Sequence, residues 1–349
     1  RSGFAGTQRY SIFPWTGDVS RSWSGLRAQL PILLGMSMSG IPYVHSDAGG
    51  FAGGEGDEEL YIRWLQLAAF TPIFRPHGTA LYEVEKNAFS FPSEAALISE
   101  PYKTIAKQII NLRYKLLPYN YTLAYQHTVN KEPLMRPMYF EHPSDSIAVH
   151  VEDQYYWGNN ILVAPIKEKG ATERQVYLPK GNWYYYYSKK KYTGNQKQTV
   201  AASLSEIPFF IKEGSIIPTY QQANYTNTTD LKNNEITLEY FPSGKATKTT
   251  IYFDDGSNKQ ALQEKKYELV TCTAYTSSTH GYHFVIQSNN GKYTNKSNKT
   301  KFTIVLNCTE PVSSVIIDGV TQKIAITKTE GAISFPVTFN GKTLKIDVQ

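Results

Sequence analysis

Apolar positions recur at helical spacing through the first part of this chain and at strand-like spacing through the rest, and the change falls near residue 145. Trp23 to Leu34 has helical spacing behind an Arg-Ser-Trp opening. Glu58 to Phe70 places Leu60, Trp64, Leu67 and Ala68 on one face, which predicts an amphipathic helix. Asp57, Glu58 and Glu59 suit the positive end of its dipole, and Pro72 stops it. Glu100 to about Asn130 is a longer helical pattern, bent or broken near Pro118. Short apolar runs between these segments predict strands at Ile41 to Val44, Thr71 to Phe74 and Leu134 to Phe140. Each ends in a polar loop: His45-Ser-Asp-Ala-Gly-Gly-Phe51, Arg75-Pro-His77 and Glu141-His-Pro143. Strand, polar loop, helix, strand is the rhythm of a parallel sheet. Short buried strands with polar residues past their C-terminal ends suit a (β/α)8 barrel, in which those loops build the site. Residues 1–145 hold three or four of the eight units, so the expectation is the C-terminal half of a barrel.

From residue 146 onward strand signals dominate, set between Gly and Pro turns. Tyr155-Tyr-Trp157, Ile161-Leu-Val163, Gln175-Val-Tyr-Leu178 and Pro208 to Ile217 predict a β-sandwich over residues 146–218. Ile236 to Tyr240, Thr249 to Phe253, His283 to Gln287, Phe302 to Leu306 and Leu344 to Val348 predict a second over 219–349, with Asp254-Asp-Gly256 as a turn. The fold class is therefore α/β plus all-β: the C-terminal part of a TIM barrel over 1–145, then two β-sandwich domains. No internal repeat of fixed period is evident.

Composition excludes some classes of function. The 349 residues are 41% apolar and 19% charged, an ordinary globular mix, and no apolar run reaches the roughly 18 residues of a membrane span. Residues up to Asp145 carry 13 basic and 13 acidic side chains, so the net charge of +6 lies entirely downstream. Its lysines are scattered, and Ser188-Lys-Lys-Lys-Tyr192 reads as a solvated hairpin tip rather than a nucleic-acid patch. The 26 tyrosines suit strands, and a flat ring with a polar tip also matches a pyranose. Cys272 and Cys308 either bridge or sit as small buried hydrophobes. Sequons at Asn120-Tyr-Thr, Asn224-Tyr-Thr and Asn307-Cys-Thr are too short a motif to assign. His127, His142 and His150 lack metal-ligand spacing, and there is no Gly-x-Ser-x-Gly, P-loop or dinucleotide fingerprint. Nucleic acid is thus not an expected partner, no membrane span is expected, and no cofactor or metal is expected.

The densest chemistry lies at the start, in Arg1-Ser-Gly-Phe-Ala-Gly-Thr-Gln-Arg-Tyr10, Trp15-Thr-Gly-Asp18 and Trp23. In order follow Gly40-Ile-Pro-Tyr43, Ser46-Asp-Ala-Gly-Gly-Phe51, Glu59-Leu60, Arg63-Trp-Leu-Gln66, Phe70-Thr-Pro72 and Arg75-Pro-His77. Further along come Tyr156-Trp-Gly158, Leu162-Val-Ala-Pro165, Val176-Tyr-Leu-Pro179, Trp183, Ile207-Pro-Phe-Phe210 and Gly214-Ser-Ile-Ile-Pro218. This series resembles glycoside hydrolase family 31, the α-glucosidase family, densely to about residue 218 and beyond it chiefly through Asp254-Asp-Gly256. The resemblance implies a retaining, metal-free hydrolysis of glycosides. It makes Asp18 the general acid/base, Arg1 an arginine that holds the sugar in the cleavage subsite, and Trp15 a wall of that subsite. Asp47, Phe51 and His77 would line it, with Asp47 and His77 bonding sugar hydroxyls. His45 sits where relatives vary, and either touches substrate or packs. Arg9 and Tyr10 read as structural.

A retaining glycosidase needs two carboxylates about 5–5.5 Å apart, one attacking the anomeric carbon and one protonating the leaving oxygen. The family's nucleophile lies in a Lys/Ile-x-Asp-x-x-Glu type segment with no counterpart here. The resemblance puts it upstream of Arg1, so the N-terminal half of the same protein is an expected partner, beside a glycoside or oligosaccharide substrate. A second reading makes Asp47 the nucleophile. Outside their motifs, Asp18 would read as a helix N-cap, Asp47 beside Gly49-Gly50 as a turn residue and His77 as a structural histidine. The expected function is exo-acting release of a terminal sugar, α-glucose first. Pro42-Tyr-Val-His-Ser-Asp47 departs from the commonest glucosidase wording, where small residues precede the aspartate, and this makes α-galactoside the runner-up, with α-xyloside on the same scaffold. The alternative of another class is a carbohydrate-binding protein that does not cleave.

Overall fold

The computed structural model describes residues 6–10, 12–54, 56–79, 94–221, 227–277, 281–308, 310 and 312–349. Arg1, expected at the site, and Asn224 lie outside the described residues. The chain forms two compact units: Arg1–Arg113, Lys131–Tyr186 and Lys191–Phe210 make one, and Tyr114–Asn130, Tyr187–Lys190 and Ile211–Gln349 make the other.

Helix α1 spans Trp23–Met38, and Leu26, Leu30, Leu33 and Leu34 bury its apolar face. Its N-cap is Ser22, whose hydroxyl accepts from the Gly25 amide, so Asp18 is not the cap. Helix α2 spans Glu58–Ala69 and is capped by Asp57, whose Oδ1 accepts from the Leu60 amide at 3.0 Å. Every residue of α2 from Leu60 to Ala69 is buried. The one-sided helix expected there is too narrow a reading, because Arg63 and Gln66 also face inward. The Arg63 guanidinium donates to the carbonyls of Ala171, Ala202, Ser203 and Glu206 at 3.0–3.3 Å, and Gln66 donates to that of Leu204 at 2.7 Å. A charged group can be buried where such acceptors meet its donors.

The runs Ile41 to Val44 and Thr71 to Phe74 do not pair as ladders among the described residues. Isolated parallel bridges instead join Trp15 to His45, Ser20 to Ala52 and Ala48 to Pro76. The expected strand over Leu134 to Phe140 is shorter, Met135–Pro137, and pairs antiparallel with Tyr155–Trp157 before a helical turn at Met138–Glu141. It therefore opens a sheet instead of a βα unit. A short, fully buried apolar run looks alike in either pairing, and only its neighbour decides. That sheet continues through Ile161–Val163, Phe209–Lys212, Asn182–Tyr185 and Lys191–Thr193. Glu173–Leu178 and Gln196–Ala201 form a separate antiparallel pair.

The long helical pattern ends in helix α3, Tyr102–Lys115, and resumes as α4, Leu117–Asn130. Pro118 falls in the first turn of α4, where its missing amide breaks no intrahelical bond. In the second unit, a five-stranded sheet runs Thr327–Thr329, Ala332–Phe339, Thr300–Leu306, Glu235–Tyr240, Ile216–Thr219. A six-stranded sheet runs Thr247–Phe253, Glu268–Thr276, Tyr282–Ser288, Leu344–Val348, Val315–Ile317, Val320–Gln322. Alternate residues of both, including Phe302, Ile304, Phe284 and Ile286, share one apolar core. The Tyr252 amide donates to Thr122 of α4 at 3.2 Å, which ties this helix to the six-stranded sheet.

Three sequence readings resolve in this unit. Cys272 and Cys308 are free thiols, and burial pushes Cys272 up to about 12. Asn120 and Asn307 are buried, which removes their sequons from the surface. Lys189, read as part of a solvated tip, turns inward instead: its Nζ lies 2.6 Å from Oε1 of buried Glu239.

Candidate functional site

Three loops of the first unit come together, around residues 14–21, 45–52 and 75–79. Backbone hydrogen bonds stitch them in pairs. Thr16 donates to His45 at 3.0 Å, and His45 back to Pro14 at 3.3 Å. Phe51 and Ala52 both donate to the Val19 carbonyl, at 2.8 and 3.2 Å. Ala48 donates to Arg75 at 3.0 Å, His77 to Ala48 at 3.4 Å, and Thr79 to Phe51 at 2.7 Å. Trp15, Asp18, His45, Asp47, Phe51 and His77, expected together from the sequence, thus sit on loops fixed to one another by main-chain contacts.

Their environments differ. Asp18 is exposed and Trp15 half-buried, while Asp47 is only 1% exposed. Asp47 Oδ1 lies 3.0 Å from Arg75 Nη1, and its buried Oδ2 has no hydrogen-bond partner among the described residues. Burial pushes the Asp47 carboxyl above the usual range, against the pull of His77 and Arg75. His45 is buried, and its Nδ1 lies 3.3 Å from the Ser46 carbonyl. Burial lowers its imidazole, opposed by that carbonyl and assisted by the positive charge of Arg75 and His77. The Phe51 and His77 rings pack with centroids 5.6 Å apart.

Local chemistry explains how the 45–52 loop holds this shape. Trp64 of α2 donates its indole N–H to Ser46 Oγ at 2.9 Å. Gly49 has φ +100°, and a Cβ there would lie 2.6 Å from the Tyr61 ring, so no side chain fits. The sequence reading assigned no role to Arg75, the partner of Asp47, or to Arg21, which packs against two of the three loops. The glycines around Arg21 were the available signal. The described residues hold no group of three or more His, Cys, Asp or Glu placed to bind a metal ion. Among the described residues no helix is long and apolar enough to cross a membrane.

What the arrangement offers is an exposed carboxyl and a half-buried indole on one loop, with a buried carboxylate and a histidine on adjoining loops. Comparison with known proteins identifies the family. Residues 1–123 match the glycosyl hydrolases family 31 TIM-barrel domain, and residues 131–217 match the glycosyl hydrolase family 31 C-terminal domain. An alpha-xylosidase of Saccharolobus solfataricus is 35% identical over 278 residues, 78% of this chain and 36% of that protein. An alpha-glucosidase of the same organism is 39% identical over 223 residues, 62% of this chain and 30% of that protein. The chain therefore spans about a third of the length of these curated relatives. Among solved structures, a family 31 dextranase of Flavobacterium johnsoniae complexed with isomaltotriose superposes with a TM-score of 0.90 at 29% identity, over 100% of this chain and 45% of that one. With both domain matches in sequence order and relatives named as glycoside hydrolases, this chain belongs to glycoside hydrolase family 31.

Proposed function

We propose that the whole protein is a retaining, exo-acting glycoside hydrolase that releases a terminal sugar, α-glucose first among its substrates, with Asp18 as general acid/base. The observation that supports this most is the convergence of Trp15, Asp18, Asp47, Phe51 and His77 on three mutually bonded loops. Asp18 gives its proton to the glycosidic oxygen as the C–O bond breaks, then takes one from the water that releases the sugar. The attacking carboxylate is expected from the part of the relatives' length that this chain does not span. Asp47 Oδ2, buried and unpartnered, is an acceptor for a sugar hydroxyl, and filling it would relieve a desolvated oxygen. Phe51 and His77, whose rings pack with centroids 5.6 Å apart, would line the same subsite, with Trp15 as a further wall. Together they orient the sugar for in-line attack.

Similarity over 78% of the chain to an alpha-xylosidase supports α-xyloside as a second substrate, a sugar differing from glucose only by loss of the hydroxymethyl group. α-Galactoside follows, from the unusual residues before Asp47. The test is release of 4-nitrophenol from the α-glucoside, α-xyloside and α-galactoside by the whole protein, with proton NMR of the first sugar released from the preferred glycoside. Retention gives the α-anomer first, and inversion gives the β-anomer and overturns the mechanism. Asp18→Ala should abolish turnover of natural glycosides while sparing the first step on nitrophenyl substrates, whose leaving group needs no proton. Equal loss on both removes Asp18 from the acid/base role. Absence of release from every glycoside leaves the non-cleaving carbohydrate-binding reading.

A further inference from the structure

We propose that Arg21 is a positioning residue that locks the loop carrying Asp18 onto the loops carrying Phe51 and His77; this rests on Asp18 being the acid/base. Arg21 is only 4% exposed although it is charged. Its backbone amide donates to Ala52 at 3.1 Å, and its guanidinium Nη2 donates to the Thr79 carbonyl. Thr79 in turn donates both its amide and its hydroxyl to the Phe51 carbonyl, at 2.7 and 3.0 Å. One side chain thus links the segment after Asp18 to the segment after His77, and through Thr79 to Phe51.

Three glycines make room for it. A Cβ on Gly50 would lie 2.7 Å from Arg21 Cα, and one on Gly54 would strike the Arg21 carbonyl oxygen. A Cβ on Gly78 would lie 2.7 Å from Nη2 and 2.8 Å from the Gly50 carbonyl. Gly50 and Gly54 also have φ of +83° and +75°, where side chains are strained. The slot is therefore shaped on two loops around one residue of a third. It is tighter than the Arg–Thr79 bond alone requires, because Nη1 is buried without a hydrogen-bond partner among the described residues. A buried cation with an unpaired N–H is expensive, and stability alone would favour an apolar side chain here. What the guanidinium supplies is a fixed distance from the Asp18 loop to the Thr79 carbonyl. An acid displaced by about 1 Å loses on the order of 10²-fold in rate.

The test compares leaving groups in the whole protein. Arg21→Ala, Arg21→Lys and the unchanged protein are assayed on a natural disaccharide and on its 4-nitrophenyl counterpart, beside Asp18→Ala, with melting temperature measured in parallel. If Arg21 positions the acid, Arg21→Ala lowers kcat on the disaccharide on the order of 10²-fold. On the nitrophenyl substrate kcat/KM, which reports the first step alone, falls far less, while kcat and KM fall together because the water-activating step still needs Asp18, and Arg21→Lys recovers part of the loss by reaching the same carbonyl. An equal fall on both substrates, tracking the fraction folded, reduces Arg21 to a packing residue. Should Arg21→Ala fail to fold, Gly78→Ala carries the same comparison, since its Cβ pushes on Nη2 while the arginine stays. If Asp18→Ala itself shows no leaving-group dependence, the acid/base assignment falls. If Asp18→Ala shows it and neither the Arg21 nor the Gly78 variant does, only the positioning role falls.

Discussion

Asp47 combines near-complete burial with an unpartnered carboxylate oxygen, and its carboxyl lies above the usual range because burial disfavours the charge. A raised carboxyl has a definite consequence for stability. The folded state holds the proton more tightly than the unfolded state, so ionised Asp47 costs stability at neutral pH. That cost disappears as pH falls through its folded value and below the ordinary carboxylate value. Asp47→Asn should therefore raise the melting temperature at pH 7, and the gain should shrink toward pH 4. The same substitution should lower kcat/KM if Asp47 holds a sugar hydroxyl, since an amide nitrogen cannot accept that bond. Calorimetry against pH and kinetics on the preferred nitrophenyl glycoside check the two halves. A stability loss at pH 7 would show that the Arg75 contact outweighs burial. Gly49→Ala belongs to this scale as well. Its positive φ and the Tyr61 ring leave no place for a methyl, so a loss of about 1–3 kcal/mol in urea unfolding is expected.

At the scale of elements, α2 is held by more than its apolar residues. Arg63 donates to four backbone carbonyls between Ala171 and Glu206, of which that of Ser203 also accepts from the Glu206 amide at 3.1 Å. Arg63→Met keeps much of the volume but leaves buried carbonyls unsatisfied, so it should cost roughly 3 kcal/mol or more. Urea midpoints measure this, and a change under about 0.5 kcal/mol would mean that water replaces the arginine. Helix α1 offers a milder comparison. Ser22 meets a single amide at its N-terminus, and Ser22→Ala should cost about 1 kcal/mol. The contrast follows from number and from burial of the donor: the cap meets one amide, whereas the buried Arg63 guanidinium meets four carbonyls, that of Ala202 fully buried.

For the molecule as a whole, two units with separate internal packing carry different burdens. The first unit carries the three site loops; the second carries an internal ion pair with no part in the proposed reaction. Glu239 is buried with Lys189 Nζ at 2.6 Å and Lys115 Nζ at 3.7 Å. Burial pushes its carboxyl up, but the two lysines bring it net below the usual range. Its stabilising contribution is thus present above the ordinary carboxylate value and lost as pH falls through the folded one. Glu239→Ala strands the buried Lys189 ammonium and should cost about 3–5 kcal/mol near pH 7, less toward pH 3. Urea unfolding at several pH values separates this from a simple cavity effect, which would not vary with pH.

The sequence by itself determined what depends on near neighbours. Helices α1 and α2 follow from spacing, capping residues and Pro72, and the break between α3 and α4 falls beside Pro118, because these signals act within a turn or two of the chain. Expected site residues could be named as well, through motifs that keep their order along the chain, and the loops that carry Trp15, Asp18, Asp47, Phe51 and His77 are joined by main-chain bonds. Tertiary structure decided where polar groups go. Arg63 lies off the apolar face read for its helix, yet carbonyls about 140 positions away surround it, and Lys189 reads as a hairpin tip until Glu239 draws it in. The pairing of Met135–Pro137 with Tyr155–Trp157, and the slot that three glycines make for Arg21, are of the same kind. Burial of a charge or the choice of a strand partner is settled by groups distant in sequence, whose donors, acceptors and free volume have no local signature.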